Sequence, residues 1–357
     1  MKILILGGKF NNTGGTERVG SMLANGLSKE GYEIVLASIS CGDKPFFPIN
    51  KGIKIVSLFN TPGRALYRTP NIIYKIRKLL KEERIDTLIV VETMSVLFTL
   101  PATLGLPINH ICWEHFNFNT DLGKKGRRIA RQLAARYCDS VVTLTERDKQ
   151  YWLKGTRHNS QITAIANPCP FPVQENTKEN NTKIVLAIGR LTHQKGFDLL
   201  LESWFEINKL MSDWKLKIVG EGIDRQKLAE FIEQYELTNS VELVDSTNDV
   251  SKYYKEAEIF CLSSRFEGFG MVLIEALAFG LPIVSFDCEV GPAEILEDTG
   301  SILVPPNDIS ELALSLIDLM QDDERRKIIS IKSKEKAKLY QPEVIMSQWV
   351  NLLESFE

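Results

Sequence analysis

Short apolar runs followed by stretches of helical periodicity fill this chain, and the alternation starts over once. The first series of runs is Lys2–Leu6, Glu33–Ala37, Thr87–Val91, His110–Trp113 and Ser140–Leu144, with the amphipathic segment Thr16–Lys29 behind the first of them. Strands that read as nearly continuous apolar residues belong in parallel sheets covered by helices on both faces. The series stops at Asn167-Pro168-Cys169-Pro170-Phe171-Pro172 and the polar Gln174–Asn181, where proline and charge break any core element. It resumes with Lys183–Gly189, a helix from Phe197 to about Lys209, Lys215–Val219, a helix near Arg225–Tyr235, Val241–Val244, Ile259–Leu262 and Pro282–Phe286. The expectation is an α/β chain of two Rossmann-like domains, 1–170 and 183–340, joined by a linker at 171–182. Beyond Asp308 the pattern is helical, with Leu312, Leu314, Leu316, Ile317 and Leu319 as core positions. A last helix, within 341–357, has Val344, Ile345, Trp349, Leu352 and Leu353 as its apolar residues.

Bulk properties exclude several classes. No apolar run approaches the ~20 residues needed to cross a bilayer, and the first apolar run ends in Gly7 without a cleavage site. The formal net charge of −3 gives no nucleic-acid signature. Six cysteines, Cys41, Cys112, Cys138, Cys169, Cys261 and Cys288, lack Cys-x-x-Cys spacing and read as reduced thiols of a cytosolic protein. Charge is nevertheless uneven. From Lys124 to Arg136 the cations Lys124, Lys125, Arg127, Arg128, Arg131 and Arg136 surround Ile129, Leu133 and Ala134 at helical spacing. Arg64 to Arg84 adds Arg68, Lys75, Arg77, Lys78 and Lys81 around Ile72, Ile73, Ile76, Leu79 and Leu80. Each basic segment is either a solvated helix face or a surface for anionic lipid headgroups or a lipid diphosphate.

Three glycine-marked turns carry the chemistry. Gly7-Gly8-Lys9-Phe10-Asn11-Asn12-Thr13-Gly14-Gly15 joins the first strand to a helix packed through Val19, Leu23 and Leu27, so that a ligand can approach the backbone at Gly14 and Gly15. This is not the Gly-x-Gly-x-x-Gly of dinucleotide dehydrogenases, and the second strand ends in Ala37-Ser38 with no ribose-binding acid. Ile188-Gly189-Arg190-Leu191-Thr192-His193-Gln194-Lys195-Gly196 follows the first strand of the second domain. There Arg190 offers a fork of donors and Lys195 a compact charge, together suited to a diphosphate. Finally, Ser264-Arg265-Phe266-Glu267-Gly268-Phe269-Gly270 leads into a helix with Glu275 eight residues after Glu267. Glu267 is expected in the loop and Glu275 about two helical turns on, so that two acids address separate hydroxyl-bearing parts of one extended ligand anchored at the helix N-terminus.

Over almost its whole length the chain resembles the retaining glycosyltransferases of family 4, whose Glu-x7-Glu signature matches Glu267 and Glu275 and whose fold is the two-lobed GT-B. The resemblance implies two Rossmann-like domains facing across a cleft, the first binding the acceptor and the second the nucleotide sugar, with the terminal helix crossing back to the first. It implies that Glu267 contacts donor-sugar hydroxyls and Glu275 the ribose. Amides of Gly268, Phe269 and Gly270 would face the diphosphate. Arg190 and Lys195 would stabilise the departing nucleoside diphosphate, and Gly14-Gly15 would border the reaction cleft. His115, in Cys112-Trp113-Glu114-His115-Phe116-Asn117, would lie near the donor sugar and the acceptor, with Asn167 before Pro168 a hinge or cap residue. Asp245-Ser246-Thr247 departs from the glycine usual at that place, which leaves base recognition there open.

No Asp-x-Asp is present, Asp322-Asp323 lying in a polar helical region, so fixed cations and helix N-termini are expected to stand in for a metal. The function implied is metal-independent, retaining transfer of a hexosyl or N-acetylhexosaminyl group from a UDP-sugar to a polyprenyl-diphosphate-linked saccharide of a bacterial O-antigen, capsule or exopolysaccharide. Gly291-Pro292-Ala293-Glu294 resembles transferases using galactose-type or N-acetylhexosamine donors. No cofactor beyond the donor substrate and no metal is expected, and the place is the inner face of the cell membrane, held through the basic helices. Two alternatives stay open: a nucleotide-sugar 2-epimerase of the same fold, and a non-catalytic nucleotide-sugar-binding subunit.

Overall fold

The computed structural model of the protein describes residues 1–61, 65–175, 182–247 and 249–356, and the side chains of all of these except 65–67. Arg64 of the second basic segment and residues 176–181 of the expected linker lie outside the described residues. Contacts divide the chain into two compact units, Met1–Pro168 with Pro342–Glu357, and Cys169–Gln341.

The first unit holds seven described strands: β1 Lys2–Gly7, β2 Glu33–Ser38, β3 Lys54–Ser57, β4 Thr87–Val91, β5 Asn109–Trp113, β6 Ser140–Thr143 and β7 Gln161–Ala164. All pair in parallel in the order β3-β2-β1-β4-β5-β6-β7. The order reverses direction between β1 and β4, and the crevice outside the carboxyl ends of such a pair is where open α/β sheets take ligands. Helices α1 Gly15–Lys29, α2 Ala65–Glu82, α3 Val96–Thr103, α4 Lys125–Tyr137 and α5 Glu146–Gly155 form the crossovers. As the periodicity requires, α1 buries Val19, Leu23 and Leu27. The loop between β1 and α1 is pinned by buried Phe10, whose ring rests where Cβ atoms on Gly7 and Gly20 would lie 2.9 and 2.7 Å away.

The second unit repeats the plan with β8 Ile184–Ile188, β9 Lys215–Val219, β10 Val241–Val244, β11 Ile259–Leu262, β12 Ile283–Phe286 and β13 Ile302–Val304 in the order β10-β9-β8-β11-β12-β13. Its switch point falls between β8 and β11. Helices α6 Phe197–Leu210, α7 Arg225–Gln234, α8 Ser251–Glu256, α9 Met271–Ala278, α10 Pro292–Ile295, α11 Ile309–Gln321 and α12 Asp323–Lys338 cover the sheet. A last helix, α13 Pro342–Glu354, belongs to the first unit. There Met346 covers Gly26, on which a Cβ would come within 2.3 Å of its sulfur. Trp349 meets Trp113 of β5 edge-on at 5.1 Å.

Several expectations fail in instructive ways. Leu314 is exposed, because the face of α11 that packs is that of Leu312, Leu316 and Leu319. On α4 the expected apolar face is wrong: Ile129 is 59% exposed, while Arg127 and Arg131 are 2% and 1% exposed. Those two arginines therefore cannot serve a lipid surface, and the cations of α4 and its N-cap left outward are Lys124, Lys125, Arg128 and Arg136. On α2, Lys75 and Arg77 are likewise spent on the carbonyls of Leu58 and of Ala102 and Leu104. Among the described residues no helix is long and apolar enough to cross a membrane. The cysteines are all free; five are buried and Cys41 is partly exposed.

Candidate active site

In the second unit the two loops at the switch point are stitched together. After β8 the chain makes a 3₁₀ turn, His193–Lys195, and then takes Gly196 into the left-handed region at φ +64°, where a Cβ would strike the Ser263 carbonyl at 2.0 Å. That close approach lets Ser263 Oγ donate to the Lys195 carbonyl (3.0 Å), the Arg265 amide to the Gln194 carbonyl (2.8 Å), and Gln194 Nε2 to the Phe266 carbonyl (3.1 Å). Arg265 adds a two-pronged contact, both prongs 2.8 Å, to Asp198 at the start of α6.

The stitching brings Lys195 to Glu267. Lys195 Nζ lies 2.6 Å from Glu267 Oε1, and Ser264 Oγ donates to the same oxygen at 2.6 Å. Both charged groups are largely buried, so the pair is held more firmly than a surface ion pair would be. Sequence reading gave these residues separate tasks; here the ammonium and the carboxylate are each other's partner. Beneath them Cys288 Sγ donates to the Ser264 carbonyl at 2.9 Å, and burial pushes its thiol above the ordinary range, which keeps it a thiol.

Gly270 precedes α9 at φ +97°, with Phe269 buried against the core and Gly268 partly exposed. Because α9 begins only at Met271, Glu275 stands about one turn into the helix, not two turns on from Glu267, and Phe266 to Gly270 are irregular backbone. Glu275 is buried, and Tyr254 donates its hydroxyl to Oε2 at 2.8 Å while stacking on Phe279. Arg190, by contrast, is exposed. In the loop that departs from the family's glycine, Asp245 pairs with Arg225 at 2.8 Å. Gly291 precedes the single turn α10.

In the first unit, Gly14 stands at the N-cap of α1 with Gly15 as its first residue, and no side chain caps this helix end. His115 follows β5 but is buried and tilted against Trp113 at 4.4 Å, with Nε2 lacking a hydrogen-bond partner among the described residues. Burial pushes its imidazole down to about 3, so the ring is neutral at physiological pH. Its loop is fixed by Glu114, whose Oε1 accepts the amides of His115 (3.0 Å) and Phe116 (3.1 Å). Asn167 is buried and caps no described helix.

Sequence reading brought Glu267, Lys195 and Glu275 to light but missed Ser264, Tyr254 and the Arg265–Asp198 fork. A hydroxyl three residues before Glu267 was a usable signal for Ser264. Nothing local ties Tyr254 to Glu275, which is 21 residues away and meets it only through the sheet.

Comparisons with known proteins bear on the family and the fold. The family model described as "Glycosyltransferase Family 4" matches residues 13–170, and that described as "Glycosyl transferases group 1" matches 172–336. An uncharacterized glycosyltransferase of Haemophilus influenzae is 38% identical, over 96% of this chain and 97% of its own length. The amylovoran biosynthesis glycosyltransferase AmsD of Erwinia amylovora is 30% identical over 99% of both chains. A Campylobacter jejuni α-1,4-N-acetyl-D-galactosaminyltransferase, named for a diphospho-undecaprenol-linked saccharide, is 28% identical over 96% of this chain and 95% of its own. Among solved structures, Anabaena HepE in complex with UDP and glucose superposes with a TM-score of 0.82 at 18% identity, covering 99% of this chain and all of that one. At that identity the likeness establishes the GT-B fold alone.

Proposed function

Given that the chain belongs to the glycosyltransferases of Family 4, we propose that it moves a hexosyl or N-acetylhexosaminyl group from a UDP-sugar to a lipid-linked saccharide of a bacterial surface polysaccharide, with retention and without a metal ion. The observation that carries this reading is the Lys195–Glu267–Ser264 cluster, set at the second unit's switch point with Glu275 buried nearby on α9. Arg190 and Lys195 supply positive charge for a departing diphosphate, and Glu267 and Glu275 supply acceptors for sugar and ribose hydroxyls. Since Lys195 is paired with Glu267 in this structure, an arriving diphosphate would share its ammonium with the carboxylate, a rearrangement of hydrogen bonds more than of backbone. His115, being neutral, is suited to accept or donate a hydrogen bond without adding charge.

The donor class is supported by the UDP held in the similar HepE structure, and the acceptor class by the undecaprenol named in the Campylobacter relative. Attachment to an anionic membrane rests on the outward side of α4 and the loop before it. There Lys124, Lys125, Arg128 and Arg136 alternate with Leu122, Ile129 and Tyr137, and α4 itself contains no acid.

The test is acceptor-dependent UDP release by the purified chain, with a polyprenyl-diphosphate-linked saccharide, a panel of UDP-sugars, and chelator present. An α-linked product from an α-linked donor, formed at unchanged rate with chelator, is expected. Release of a free hexosamine without acceptor would instead identify an epimerase, and no turnover by the chain alone would point to a binding subunit.

A further inference from the structure

Two arginine–glutamate pairs lie one helical turn apart on α4, and they are satisfied to very different degrees. Arg131 donates from Nε to Glu114 Oε2 at 3.0 Å, from Nη2 to the carbonyls of Asn117 (2.8 Å) and Thr120 (3.1 Å), and from Nη1 to the Phe118 carbonyl. Glu114 completes its set with Thr93 Oγ1 at 2.5 Å and the two amides of its own loop. This is a closed network that ties the loop after β5 to α4, and it needs no ligand.

The other pair is left open. Arg127 Nη2 lies 2.9 Å from Glu92 Oε1, but no N–H is directed along that line, and Arg127 Nε and Nη1 and Glu92 Oε1 have no hydrogen-bond partner among the described residues. Arg127 is 2% exposed, its guanidinium lying 4.0 Å above the ring of Phe116. Native structures leave few buried polar atoms unpaired, and three at one spot call for a reason. A buried ion pair is also a poor way to gain stability, since apolar residues of similar volume do as well or better.

Glu92 has two further peculiarities. Its backbone sits at φ +78°, ψ 124°, a region that costs a side-chain-bearing residue ~1–3 kcal/mol, held there by its amide on the Trp113 carbonyl at 2.9 Å. It directly follows β4, the strand that borders β1 at the first unit's switch point, and its side chain remains 26% exposed. Glu92 thus stands at the sheet edge where ligands bind, partly exposed, with Oε1 buried against the cation of Arg127. Burial also lifts this carboxyl above the ordinary carboxylate range, against the opposing pull of Arg127, Lys124 and the Met94 amide.

We infer that Glu92 and Arg127 form a hydroxyl-binding subsite of the first unit, in which the Glu92 carboxylate accepts a hydrogen bond from a neutral sugar and Arg127 positions it. The Glu92–Arg127 and Glu114–Arg131 pairs each sum to zero and Lys124 adds one positive charge within reach, so the preference for a sugar hydroxyl over a phosphate oxygen rests on Glu92 itself, a carboxylate that offers acceptors only. That this sugar belongs to the acceptor rests on the transferase reading above; that a sugar binds at Glu92 does not.

The experiment has two arms. In the kinetic arm, Glu92→Ala and the isosteric Glu92→Gln are compared with wild type for acceptor KM, donor KM and slow donor hydrolysis without acceptor. Expected is a rise of about ten-fold or more in acceptor KM for Glu92→Ala, with donor KM and donor hydrolysis within about two-fold. An unchanged acceptor KM, or donor hydrolysis falling by the same factor, overturns the assignment. In the binding arm, saturation-transfer NMR with simple methyl hexosides and saturating UDP reads the subsite without turnover. Signals present in wild type and lost in Glu92→Ala support the subsite even if no transfer occurs; equal signals in both, or none in wild type, sink it.

Discussion

Both sheets bring polar loops to the carboxyl edge of a switch point, yet they hold charge there in opposite ways. In the second unit the carboxylate comes from an irregular loop and its cation, Lys195, from the neighbouring loop, 72 residues away, so the ion pair belongs to the ligand-binding edge itself. In the first unit the cations rise from within: Arg127 and Arg131 project from the packed face of α4 and meet acids at the ends of β4 and β5. The difference teaches that a loop–loop pair can be redistributed when a ligand arrives, whereas a pair rooted in a helix face is a fixed support. One such support is complete, and the other keeps unused hydrogen-bonding capacity.

The largest test of that contrast is stability. Arg131→Met leaves Glu114 buried without its cation and is expected to cost ~3–5 kcal/mol in urea unfolding, whereas Arg127→Met, whose pair is already half-open, should cost clearly less. Equal losses would erase the distinction between the two supports. Next comes catalysis. Lys195→Ala and Glu275→Ala should each lower turnover by about 10²–10³-fold at temperatures where both variants remain folded, and wild-type rates in both would remove the second-unit site altogether.

Acidity between about pH 6.5 and 5 probes the buried groups of the first unit. Burial pushes His110 down to about 4 and His115 down to about 3, so folding keeps both rings neutral while the unfolded chain takes up protons near 6.5. Their contribution is present above about 6.5 and is lost as pH falls. Asp148 acts the other way: burial lifts it to about 7, so its folded form keeps a proton that the unfolded form has released, and its contribution is lost as pH rises from 3.8 towards 7. Near pH 5 about two protons are gained on unfolding and one is lost, whereas at 6.5 each unfolded imidazole is only half-protonated. Stability should therefore fall by ~1.4 kcal/mol per pH unit of acidification near pH 5, a slope that His110→Gln should flatten. The smallest effect concerns Tyr254, whose hydroxyl holds Glu275. Tyr254→Phe removes one neutral donor to a carboxylate and should raise donor KM by roughly 3- to 10-fold while kcat changes little; a fall in kcat with unchanged KM would take Tyr254 out of donor positioning.

What could be read beforehand follows from the same contrast. Central parallel strands announce themselves because both faces are buried, and β1, β4, β5, β8, β11 and β12 all coincide with apolar runs. The strands that no run foretold, β3, β7 and β13, are each at a sheet edge and short, with half their surface toward solvent. Glu267 and Glu275 are legible because eight residues of one loop and helix hold both. Glu92 and Arg127 are separated by 35 residues and one crossover, and a buried arginine looks, in sequence, like any surface cation, so the packed face of α4 is not legible there.

The cover that Met346 lays over Gly26, and that Trp349 lays over Trp113, has a consequence for how the protein is made. Both covering residues leave the ribosome after the whole of 169–341, so the first sheet must wait, with an apolar strip bare on α1 and β5, while its sister domain is synthesised. The half that begins the chain is thus the half that needs a segment made after its sister, and a chain lacking α13 is expected to leave Gly26 and Trp113 uncovered and the first unit more open to aggregation.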